Sequence, residues 1–94
     1  MYVAIRTYSG QGASELFDAL ARRQEDVKEL ISSVPGFISY EAFRQNGGGQ
    51  TVTVAQDKAG TDESSRRAAD WVKENIGVAV DPPTITEGET VLHF

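Results

Sequence analysis

Ninety-four residues make one domain, 1–94, and 14 Asp and Glu against 9 Lys and Arg leave a net charge of −5, which repels phosphate backbones and anionic lipid and excludes nucleic acid as a natural partner. The absence of cysteine removes disulfides, thiolate nucleophiles and Cys-type zinc or iron–sulfur sites together. No apolar run approaches the about 20 residues of a membrane span and no cationic stretch leads into one, so the expectation is a cytoplasmic chain with no membrane partner.

From Tyr2 to Tyr8 the residues alternate, with Val3, Ile5 and Thr7 on one side and Tyr2, Ala4, Arg6 and Tyr8 on the other. That is the period of a strand. After "SGQG", the apolar residues Leu16, Leu20, Val27, Leu30, Ile31 and Val34 recur at helical spacing and predict one long amphipathic helix from about Ala13 to Val34. Pro35 ends it, and Gly36 lets the chain turn into a strand from Phe37 to about Gln45. "NGGG", Asn46 to Gly49, then joins that strand to "QTVTVAQ". Asn-Gly supplies the positive φ angles of a tight hairpin, and a phosphate-cradling loop is disfavoured because no helix follows. "KAGT" is expected to be a turn, with Thr61 capping a helix that runs through "DESSRRAADWVKENI" and stops at Gly77. The extended connector "VAVDPP" leads to a last strand from Thr84 or Ile85 to Phe94.

The element order predicts an α+β, ferredoxin-like β-α-β-β-α-β domain, a four-stranded antiparallel sheet with two helices on one face. Val3, Ile5, Ile38, Tyr40, Val52, Val54, Leu92 and Phe94 are the more apolar alternates and are assigned to the helix-facing side. The second face then carries Ala4, Arg6, Tyr8, Phe37, Ser39, Glu41, Phe43, Thr51, Thr53, Ala55, Val91 and His93. Aromatics mixed with single charges suit a face that meets a second copy around a small cavity, so a homodimer with a small-molecule ligand is expected.

The order of elements, the "VPGFISYEAF" passage, the hairpin and "DKAGTDESSRRAADWV" resemble the dimeric α/β-barrel superfamily, and within it the small antibiotic-biosynthesis-monooxygenase-like proteins, many of them uncharacterised. The resemblance covers essentially the whole chain. It implies a fold, a homodimer and a range of activities: cofactor-independent oxygenation of polyphenols, haem degradation, isomerisation, or none. Haem-degrading members use an asparagine near the end of strand one, a tryptophan on strand three and a histidine on helix two. None of these stands at the matching place here, so no cofactor is expected.

Each candidate residue carries two readings. His93 is the only imidazole and the one candidate general base, or else a half-exposed histidine near an end. Arg6 and Glu41 bind a carboxylate or phenol, or pair with each other. Tyr8, Phe37 and Phe43 stack an aromatic substrate, or pack an interface. Trp71 reads as a core or interface wedge, and "SSRR", Ser64 to Arg67, as a solvated helical face. No residue spacing matches a metal site. Function narrows to a cofactor-independent monooxygenase-like enzyme acting on a small aromatic or polyketide-like molecule, with a binding module or an accessory subunit without catalysis as the alternatives.

Overall fold

A computed structural model describes the whole chain, Met1–Phe94. Its elements are β1 (Tyr2–Tyr8), α1 (Ala13–Arg22), α2 (Gln24–Ser32), β2 (Phe37–Gln45), β3 (Gly48–Ala55), α3 (Lys58–Asn75) and β4 (Thr84–Glu89). The strands form one antiparallel sheet in the order β2-β3-β1-β4. This is the expected ferredoxin-like topology.

Four local expectations change. The long first helix is two helices, broken at Arg23 (φ −115°, ψ 42°). The break falls where the apolar stripe lapses between Leu20 and Val27, so no buried side chain holds that turn against the sheet. The second long helix starts earlier than expected, because Asp57 caps it by accepting from the Gly60 amide at 3.1 Å. The "KAGT" segment is its first turn, and the expected cap Thr61 is buried, donating to the Lys58 carbonyl. Finally, β4 ends at Glu89, and Val91, Leu92 and Phe94 are largely exposed. They pack on neither face of the sheet.

The fourth change is the most consequential: the two faces of the central strands are exchanged. Ala4, Arg6, Tyr8, Thr51, Thr53 and Ala55 are the buried, helix-facing residues, whereas Val3, Ile5, Val52 and Val54 lie half-buried on the opposite side. Cross-strand partners share a face, so the pairing carries the pattern outward. Tyr40 opposite Thr53 and Ala42 opposite Thr51 face the helices, and Ser39 opposite Val54 and Glu41 opposite Val52 do not. A bulge between Phe37 and Ser39 inserts Ile38 and restores Phe37, opposite Ala55, to the helix side. Tyr40 is therefore on the expected face, and Ile38 and Phe37 are not.

The expected hairpin is present, with Asn46 (φ 46°) and Gly47 (φ 79°) as its two turn residues. The next glycines open β3 rather than extend the loop. At Gly49 a Cβ would meet the Phe43 carbonyl and stand 2.6 Å from the Phe17 ring, so glycine here lets α1 settle onto the sheet. Tyr8, Leu16, Phe17, Val27, Ile31 and Trp71 form the core above it, with Tyr8 edge-on to Phe17 at 6.0 Å between ring centroids. Trp71 is the core wedge that its position suggested.

Candidate functional site

Arg6 is 1% exposed in the middle of β1, and its side chain points between the sheet and α3. Its Nε donates to Thr51 Oγ1 at 3.0 Å and its Nη2 to Thr53 Oγ1 at 2.7 Å, both from the neighbouring strand. From α3, Ser65 Oγ accepts from Nη1 at 2.7 Å and Ser64 Oγ from Nη2 at 3.4 Å. Thr53 and Ser64 are themselves hydrogen-bonded at 2.9 Å. Each acceptor is a neutral hydroxyl. None of the chain's ion pairs includes Arg6, and the expected partner Glu41 lies exposed on the other face of the sheet.

Beside Arg6 a cleft of about 530 Å³ opens between β1, β4, α3 and the connector that follows it. Its walls include Tyr8, Ser65, Val72, Ile76 and Val80. The connector is fixed as a wall by Asp81, whose carboxylate accepts from the Gln11 amide at 3.1 Å and whose own amide donates to the Gln11 carbonyl at 2.9 Å. Such a cleft, mainly apolar with a few convergent polar groups, has the make-up of a small-molecule site. Burial pushes the Tyr8 phenol above its ordinary 10.0, with the Arg6 cation opposing the shift. The Tyr40 phenol is raised for the same first reason, and Arg6 again opposes it. Both phenols therefore stay protonated hydrogen-bonding groups near neutral pH.

The six residues proposed from sequence do not converge on one site. Arg6 and Tyr8 line the cleft. Phe37 lines a separate apolar groove of about 320 Å³ with Leu20, Val27, Ile31 and Tyr40. Glu41 and Phe43 share the open face of the sheet, and His93 lies exposed beyond the end of β4. Sequence reasoning missed the hydroxyls of Thr51, Thr53, Ser64 and Ser65. The available signal was an arginine in a strand facing alternate threonines, with paired serines on the helix that covers them.

No family model matches the chain, and no curated protein matches it significantly. Solved structures do match. MhuD (Rv3592) from Mycobacterium tuberculosis, a heme-degrader seen with two hemes in its active site, is 19% identical over 100% of this chain and 99% of its own, with a TM-score of 0.67. A dimeric ferredoxin-like protein from an uncultured marine organism is 14% identical over 99% and 94%, with a TM-score of 0.65. A monooxygenase from the ActVA-Orf6 gene of Streptomyces coelicolor, in complex with nanaomycin D, is 22% identical over 99% and 89%, with a TM-score of 0.60. The chain has the ferredoxin-like fold of these proteins.

The cleft does not fit haem. Iron in haem takes His, Cys, Met or Tyr ligands, and Tyr8 is the only such side chain lining the cleft. That side chain is 5% exposed and packed edge-on against Phe17 in the core.

Proposed function

We propose that the protein is a homodimer that takes a small aromatic or polyketide-like molecule into the Arg6 cleft and acts on it as a cofactor-independent monooxygenase does. The carrying observation is the cleft itself, apolar walls around one buried guanidinium. The monooxygenase among the similar folds supports the reaction class. A second reading, binding without catalysis, is favoured by a specific feature: no histidine lines the cleft, and the sole imidazole, His93, lies outside it.

The dimer reading rests on the open face. Val3, Ile5, Val52 and Val54 lie there beside Phe43, which is 47% exposed, and a contiguous apolar sheet face of this kind suits a second copy. The dimeric ferredoxin-like neighbour supports that arrangement. Glu41 would then join Phe43 in the interface rather than in the ligand site.

Oxygen consumption with a panel of polyphenols and quinols tests the enzyme reading, and ligand titration by fluorescence of Trp71 tests binding. Binding with no turnover across the panel selects the second reading. Sedimentation at micromolar concentration is expected to show a dimer, and a 10.2 kDa species alone would remove the homodimer.

A further inference from the structure

A buried guanidinium normally meets a carboxylate, because a desolvated charge without compensation is costly. Arg6 has none. Its five N–H groups serve four hydroxyl acceptors, and those orient the guanidinium without neutralising it. Of these four acceptors only Ser65 also lines the cleft, so the Nη1 edge of the guanidinium is the one turned toward the ligand space. Charged groups on the neighbouring walls do not supply the missing charge. Asp81 carries a negative charge, but it is exposed, turned to the Gln11 amide and not paired with Arg6; Glu87 on β4 pairs with Lys58, and Lys73 adds a second cation to the lining.

Resting on the reading of this cleft as a ligand site, we propose that the ligand is an organic anion: a flat apolar body with one carboxylate, phenolate or enolate oxygen, which supplies the counter-charge to Arg6. The apolar walls, Val72, Ile76 and Val80, take the ring system, and the phenols of Tyr8 and Tyr40 near Arg6 stay neutral and do not compete as anions. A ligand that arrives as the neutral acid gives up its proton to solvent on binding, and no bond other than that O–H is broken. Favouring the anion is also what an oxygenation without cofactor asks of its site, since an electron-rich phenolate or enolate reacts with oxygen more readily than the parent acid.

The test compares 2-naphthoate with the neutral 2-naphthamide by titration calorimetry at pH 7. A charge-assisted contact predicts ~10- to 100-fold tighter binding of the carboxylate. Arg6→Gln should erase that preference while the amide still binds, and Lys73→Gln should leave it in place. If Arg6→Gln fails to fold, loss of the preference in Lys73→Gln overturns the proposal, and its survival there leaves Arg6 as the remaining cation of the lining. Equal binding of the two compounds by the wild type, or a preference that persists in folded Arg6→Gln, also overturns it while leaving the cleft as a neutral-ligand site. Binding of neither compound at millimolar concentration takes down the cleft reading as well.

Discussion

The Arg23 guanidinium lies 5.5 Å from the centre of the Trp71 ring, and from the break between α1 and α2 it reaches across to donate to Asn75 Oδ1 at 2.7 Å on α3. The same side chain forks onto Asp26 through Nε and Nη2 at 2.9 and 2.7 Å. One arginine thus gathers the helix break, the second helix and the end of the third.

Arg23→Ala is expected to cost about 1–2 kcal/mol, less than the full sum of a cation–π contact and one hydrogen bond to a charged group because the Arg23 side chain is 40% exposed. Urea unfolding followed by Trp71 fluorescence measures it. A cost below ~0.3 kcal/mol would mean that these contacts bring no net stability.

Gly49→Ala should destabilise by more than ~2 kcal/mol, because the added methyl is trapped between backbone and a core ring and overpacking is not relieved there. Gly88→Ala is the matched control, since a Cβ at that position meets nothing within 4 Å. It should stay within about 0.5 kcal/mol of wild type.

Glu63 is held down to about 2 by its hydrogen bonds with Arg66 and then Arg67, both of which favour the carboxylate. A carboxyl lowered on folding contributes stability above its unfolded value of 4.5, and that contribution fades as pH falls toward about 2. Glu63→Gln should therefore melt below wild type at pH 6, and the gap should close as the pH is lowered through that window. Because the Glu63 side chain is 30% exposed and that of Arg66 61%, added salt should narrow the gap too. A gap that is independent of pH would show that hydrogen bonding alone, without charge, accounts for it.

His93→Ala should leave the affinity of the cleft for aromatic ligands unchanged, since the imidazole stands clear of the cleft lining. An affinity loss of about tenfold or more, read by the same titration on both proteins, would place the chain's last residues against the ligand in the working assembly.

The element order, hairpin and sheet topology were legible because periodicity and the Asn46–Gly47 pair act locally. The faces of the sheet were not. Val3, Ile5, Val52 and Val54 are more apolar than Ala4, Thr51 and Thr53, so hydrophobicity ranks the faces in the wrong order. The helix-facing side is instead small and hydroxylated, because Arg6 is buried there and needs Thr51, Thr53, Ser64 and Ser65 as acceptors. A β-branched residue is at home on either face of a sheet, and only the helix packing decides which. For the same reason the candidate site was half legible: Arg6 and Tyr8 share a face by alternation, but β4 stops too early to bring His93 to it.

At its start α3 is seated hard on the sheet, for a Cβ on Gly60 would come within 2.7 Å of that of Ala55, and Thr61 and Ser64 are buried beside it. Further along, Ala69, Val72 and Ile76 border the cleft instead. The helix is anchored at both ends, by that seat near Asp57 and by Trp71 in the core with the Arg23–Asn75 contact at the other, and the cleft opens along one side of the span between them. Exchanging Ala69, Val72 or Ile76 on that side alters the width of the cleft while both anchors stay in place, so the space beside Arg6 can be resized without changing the architecture.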